Sequence, residues 1–201
     1  MKANRWDDHY TRRARDEKWL ARSVYKLEEI DKKFNLIHKG DRLLDLGCYP
    51  GSWSQYGIKK VGLQGKVIGV DLSSPTKLAS PNFRFVQADV FSLDMAALAG
   101  EVGQMDVVIS DLAPQTTGVK LTDVSRSMDL VRRALQIAGA MLRVKGNFLC
   151  KVFEGEDLRS FKAEVAANFE AVRLFRSQAT RKHSREVYLI GLGFVDRQAG
   201  V

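Results

Sequence analysis

The stretch LLDLGCYPGSWSQY, residues 43–56, decides the fold. It opens as an apolar run closed by Asp45 and ends with helical spacing, so it reads as a strand that breaks on glycine and restarts as a helix. Gly47 and Gly51 flank the break and Pro50 stiffens it. Such a turn can cradle a phosphate, admit a nucleotide, or let two elements pack closely. A lysine grip on phosphate needs Gly-Lys-Ser/Thr, whereas here Ser52 and Trp53 follow Gly51. The G-x-x-x-G spacing also departs from the dinucleotide pattern G-x-G-x-x-G. Tyr56 and Lys60 do form a Y-x-x-x-K, the pair a nicotinamide-dependent oxidoreductase would use. They stand in the first helix after the turn, the wrong place for that chemistry, and we read them as coincidence.

Working outward, DRLLDLG (41–47), GKVIGVDL (65–72), NFRFVQAD (82–89), MDVVISDLAP (105–114) and GNFLCKVF (146–153) are short apolar runs, each containing or closing on polar residues. Helical patterning lies between them, notably over 124–142, and a further helix is expected at about 156–168. Two more strands are expected at AVRLF (171–175) and EVYLIGLGFV (186–195). This alternation predicts an α/β fold, a mostly parallel sheet with helices on both faces. Ahead of it, Val24, Leu27, Ile30, Phe34 and Ile37 recur at steps of three and four, an amphipathic helix. We expect residues 1–38 to be a helical extension packed on the same domain, and 39–201 to be the domain itself.

Open sheets of this kind bind ligands beyond the carboxyl ends of their strands. Asp45, Asp71, Asp89, Asp111 and Lys151 should therefore share one edge. Asp71, twenty residues after Gly51, is placed to accept both hydroxyls of an adenosine ribose, and Asp89 to accept from an adenine amino group. Singly, each acid reads as a helix cap or a solvated strand end. Together, behind a glycine turn, they favour a nucleoside-containing ligand.

The net charge of +8 favours a polyanionic partner. Cys48 and Cys150, the only cysteines, make no CxxC pair, and three scattered histidines give no metal site. The N-terminus lacks the apolar core of a secretory signal and no apolar run is long enough for a membrane span. We expect a cytoplasmic monomer that holds no metal.

LLDLGCYPGSWSQY, GVDL, QADV, ISDLAP, CKVFEGE and SREVYLIG resemble, in order and spacing, the FtsJ/RrmJ (RlmE) family of ribosomal RNA 2′-O-methyltransferases, from about Trp19 to Gly193. The turn departs from the family's D-L-G-A-A-P-G-G-W at Cys48, Tyr49 and Ser52. The resemblance implies a Rossmann-like class I methyltransferase sheet of seven strands, the last antiparallel, with S-adenosyl-L-methionine as methyl donor. It implies cofactor contacts at Gly51, Trp53, Asp71, Asp89 and Asp111, and a catalytic set of Lys26, Asp111, Lys151 and Glu186. The substrate it implies is a uridine 2′-hydroxyl of ribosomal RNA in the large ribosomal subunit. Two rivals stay open: transfer RNA as substrate, and a catalytically silent RNA-binding module.

Methyl transfer to a ribose hydroxyl is an in-line displacement, so the enzyme aligns the hydroxyl and manages its proton. Lys151 is the expected base, with Lys26 and Glu186 orienting the hydroxyl and Asp111 steering Lys151. For RNA contact, RSQATRKHSR (176–185) carries four Arg/Lys, plus His183, and no acid. The N-terminal segment adds Arg5, Arg12, Arg13, Arg15, Lys18 and Arg22 among Trp6, Tyr10 and Trp19, diluted by Asp7, Asp8, Asp16 and Glu17. It reads equally as an RNA arm and as a solvated face.

Overall fold

A computed structural model describes residues 9–114, 120–155 and 157–196. Two helices, α1 (His9–Asp16) and α2 (Val24–Phe34), precede β1 (Arg42–Leu46). There follow α3 (Ser52–Val61), β2 (Lys66–Asp71), β3 (Phe83–Gln87), α4 (Met95–Val102), β4 (Met105–Ser110), α5 (Lys120–Met141), β5 (Leu142–Phe153), α6 (Asp157–Ala166), β6 (Phe169–Phe175) and β7 (Glu186–Phe194).

The seven strands form one sheet in the order β3-β2-β1-β4-β5-β7-β6. All neighbours are parallel except β7, which runs antiparallel to β5 and to β6. Successive residues of the central strands face opposite layers, as the pleat requires. Leu43, Val107, Ile109 and Leu149 pack with α1, α2 and α3, whereas Leu44, Val108, Phe148 and Cys150 pack with α4, α5 and α6. Both faces are covered, which is why these strands read as nearly unbroken apolar runs.

Helix α2 ends at Phe34, three residues short of the expected periodicity. Asn35 turns into the left-handed region at φ 51°, ψ 57°, and the next two amides, Leu36 and Ile37, donate to Asp31 Oδ1 at 3.0 and 2.9 Å. At the other long helix, the chain leaves α5 at Met141, close to the expected end at 142, and enters β5 directly, so the strand begins at Leu142 rather than at the expected 146.

Strand order reverses between β1 and β4, so their carboxyl ends frame the crevice where such sheets hold ligands. The register then fixes the chemistry. Ser110 pairs with Cys150, which sets the following residues, Asp111 and Lys151, side by side. Lys151 lies opposite Tyr188 on β7.

Candidate active site

The turn after β1 owes its shape to two glycines. Gly47, at φ +78°, sits where a side chain would be strained, and a Cβ there would meet Leu112 Cδ2 at 2.9 Å. Gly51, at φ +111°, caps the start of α3, and a Cβ there would meet Leu20 Cδ1 at 2.9 Å. The turn opens on a cavity of about 660 Å³ above β1, β2 and β4. Gly47, Tyr49, Asp71, Asp89, Asp111 and Phe91 are among its lining. Asp71 accepts from the Tyr49 amide at 3.0 Å through Oδ2 and from the Ser73 amide at 2.9 Å through Oδ1. Asp89 accepts from the Phe91 amide at 2.9 Å. Both acids thus cap their own turns while facing the cavity, and each oxygen so used keeps a second lone pair.

Two residues expected at the cofactor are not among the cavity's lining. Gly51 is turned towards Leu20, Pro75 and Leu78. Trp53 is buried, its indole N–H donates to Ser23 O at 2.9 Å, and its ring packs against Tyr188 at 5.9 Å. It joins the turn to the start of α2. Asp45, expected on the ligand edge, is also misplaced by that reading. It lies fully buried beneath α3, where Ser54 Oγ donates to Oδ2 at 2.6 Å, and burial pushes its carboxyl up to about 7. Tyr56 and Lys60 converge on buried Asp31, at 2.8 and 2.9 Å from its Oδ2. Their pairing is structural.

At the cavity's β4–β5 side the four expected catalytic residues come together as two ion pairs. Lys151 Nζ lies 2.9 Å from Asp111 Oδ1 and donates to the Asp111 carbonyl at 2.8 Å. Lys26, from α2, lies 2.6 Å from Glu186 Oε1 at the start of β7. Tyr188 links the pairs. Its hydroxyl donates to Glu186 Oε1 at 2.9 Å, and burial, followed by the charges of Asp111 and Glu186, drives its own pKa well above the ordinary phenol value. Burial works to raise the Glu186 carboxyl, but Lys26, Lys151 and Tyr188 together hold it below its usual range. Tyr188 escaped the sequence reading because an aromatic in an apolar strand looks like core.

A second cavity, of about 620 Å³, opens on the Lys26–Glu186 side and is lined by Arg22, Ser23, Lys26, Arg181, His183, Ser184 and Glu186. The basic loop 176–185 forms one wall, and its cations divide. Arg176 pairs with Glu154 at 2.7 Å and Arg185 donates to the Glu154 carbonyl, so both fasten the loop to the end of β5. Ser177 Oγ and the Gln178 amide bind Glu29 of α2 at 2.6 and 2.9 Å. Arg181 and His183 line the cavity. In the N-terminal segment, Arg13 pairs with Glu17 at 2.7 Å, Arg22 lies over the Tyr10 ring, and Trp19 donates to Glu17 and stacks beneath Lys59. Those aromatics bind the fold. Arg5, Trp6, Asp7 and Asp8 lie outside the described residues.

Among the described residues no helix is long and apolar enough to cross a membrane, and no cluster of His, Cys, Asp or Glu could hold a metal. Both cysteines are buried free thiols. Burial first, then Asp45 and Asp71, raises the Cys48 thiol, so it stays protonated beside the cavity.

Over most of its length the chain is similar to known methyltransferases. Over 190 residues the chain is 45% identical to the Ribosomal RNA large subunit methyltransferase E of Desulfosudis oleivorans, covering 94% of this chain and 92% of that one. It is 45% identical over 188 residues to the protein of the same name from Bdellovibrio bacteriovorus, covering 92% and 95%. A Plasmodium falciparum crystal structure described as a ribosomal RNA methyltransferase superposes with a TM-score of 0.76 at 26% identity, covering 89% of this chain and 100% of that one. The FtsJ-like methyltransferase model matches residues 19–194, so the chain belongs to the FtsJ-like methyltransferase family.

Proposed function

We propose that this chain transfers a methyl group from S-adenosyl-L-methionine to a ribose 2′-hydroxyl of large-subunit ribosomal RNA, at a uridine and in the assembled subunit. The observation that carries the proposal is the pair of ion pairs, Lys151–Asp111 and Lys26–Glu186, standing between an acid-lined cavity and a cation-lined one. The curated relatives' names supply the RNA class.

The first cavity suits the cofactor. Gly47 leaves room beside Leu112, Asp71 and Asp89 offer carboxylate acceptors to the ribose and adenine ends, and Leu72 and Phe91 supply apolar surface. Gly51 and Trp53 act through the shape of the turn. When bound, the cofactor supplies an electrophilic methyl on a sulfonium whose departure needs no acid.

The chain's own residues then have one task, the hydroxyl and its proton. To act as base Lys151 gives up its extra proton; the amine can then still donate to the Asp111 carbonyl and offer its lone pair to the substrate proton. Lys26, held by Glu186, donates to the hydroxyl oxygen and favours the developing alkoxide. Asp111 touches both the cofactor cavity and the base, so it sets the line of attack.

The test is methyl transfer from labelled S-adenosyl-L-methionine to undermethylated large subunits, free ribosomal RNA and transfer RNA, with the product nucleoside identified by mass. A 2′-O-methyluridine in large subunits is the expected product. Label in transfer RNA would reassign the substrate. Cofactor binding with no label in any RNA would leave a silent binding module.

A further inference from the structure

Resting on the reading above, we infer that the second cavity is a phosphate seat, formed by Arg22 and Arg181 with Ser23 and His183 at its edge, that holds the phosphodiester 3′ to the target ribose.

The lining gathers two guanidiniums, an ammonium and an imidazole around about 620 Å³. Glu186 is the acid in that lining, and its Oε1 is already engaged by Lys26, Tyr188 and Thr180 at 2.6, 2.9 and 3.3 Å. Arg22 and Arg181 are close enough to act on each other. Burial first, then repulsion from Arg181, lowers the Arg22 pKa, with Glu186 opposing. Like charges held together in a partly dehydrated recess are relieved by an anion.

The seat is built. Arg22 donates to the Ala179 carbonyl, which ties the start of α2 to the basic loop. Glu29 holds the same loop from the next turn of that helix, and Ser23 Oγ lies 2.9 Å from Ser52 Oγ at the start of α3. Three elements therefore fix the walls before any ligand arrives, which limits the ordering cost of binding.

Covalent geometry selects the ligand. In RNA the 2′-oxygen and the 3′-phosphate sit on adjacent ribose carbons. A hydroxyl poised at Lys151 and Lys26 must carry its 3′-phosphate a few bonds away, and Lys26 lines the second cavity as well. A guanidinium fork matches phosphate oxygens in two-point contacts. Phosphate contacts position a strand without reading its sequence, so the seat sets register while other contacts choose the base.

The experiment measures methyl transfer and binding to undermethylated large subunits across a salt series, for wild type, Arg22→Ala, Arg181→Ala and Arg181→Lys. Each alanine variant should raise KM about tenfold or more, as expected for loss of a charged hydrogen bond. kcat and cofactor affinity should stay within about threefold, and the logarithmic salt slope of binding should fall by about one. Arg181→Lys should fall between, because it keeps charge and loses the fork. Because Arg22 also braces the loop, Arg181→Ala is the decisive variant. Wild-type KM and salt slope in Arg181→Ala, with wild-type turnover intact, would overturn the seat alone. Failure of the wild type to methylate any RNA would overturn the function proposed above and the seat with it.

Discussion

Replacing Lys26 by Met tests how the two ion pairs are held. Lys26 and Glu186 are 14% and 11% exposed at their side chains and 2.6 Å apart, so the pair is largely dehydrated. Removing the ammonium leaves a carboxylate supported by the Tyr188 and Thr180 hydroxyls and by the charge of Lys151. Breaking a buried pair in this way costs about 3–5 kcal/mol, and residual solvation with two remaining donors puts the expected loss near the lower end, about 3 kcal/mol. For a chain of this size that is a fall in Tm of about 6–12 °C. The sign with pH follows. In the wild type the carboxyl sits below its ordinary range, so the pair's stabilisation is present above the unfolded carboxylate pKa and is lost as pH falls through the folded one. Without Lys26, burial dominates and raises that carboxyl, so protonation relieves the variant as pH falls. Between pH 5 and 8 the second effect is the one that shrinks the deficit on acidification, since the wild-type carboxyl titrates below its ordinary range. Thermal melts of wild type and variant at pH 5 and 8 should give a clearly larger gap at pH 8, and Lys26→Met/Glu186→Gln should regain most of the loss. A gap below about 1 °C at pH 8, or one independent of pH, would refute the claim that the pair is buried and coupled.

Further outcomes are expected elsewhere. Gly51→Ala should lower stability by about 1 kcal/mol or more and weaken cofactor binding, because φ +111° and the 2.9 Å approach of Leu20 both oppose a Cβ, measured by melting and by calorimetry. Asp45→Asn should flatten the pH dependence of Tm. The wild-type carboxyl, raised to about 7, contributes stability present below its unfolded pKa and lost as pH rises through about 7, whereas the amide cannot ionise. Trp53→Phe should cost about 1–2 kcal/mol through the lost bond to Ser23 O and the smaller ring, and should raise KM for RNA as the start of α2 loosens.

The sheet was legible because its strands are short apolar runs, several closed by acids, a pattern that parallel strands buried on both faces impose. β1, β2, β4 and β7 begin or end within about two residues of expectation. Helix α4 gave no distinct signal. It is eight residues long with Gly100 inside, and its clearest cue is the Asp94 cap, which accepts from the Ala97 amide at 2.9 Å. Asp45 was misjudged for want of the pleat. Leu44 and Leu46 face α4–α6, so the residue between them must face α3.

Within the site, identities came from local strings, but partners came from register and chain crossings. Lys151 beside Asp111 could be read once the strands were ordered. Tyr188 between the two carboxylates could not, because its position depends on the antiparallel pairing of β5 with β7. The basic loop likewise hides its division in composition. Arg176 and Arg181 are the same residue type, and only the fold shows that one binds Glu154 while the other lines a cavity.

The most direct test of the central claim compares wild type with Lys151→Ala in labelled methyl transfer to undermethylated large subunits, with cofactor affinity measured on the same samples. The account predicts loss of turnover by about a thousandfold or more, since base catalysis and alignment fail together, with cofactor affinity within about threefold of wild type. Substantial 2′-O-methylation by Lys151→Ala would contradict it.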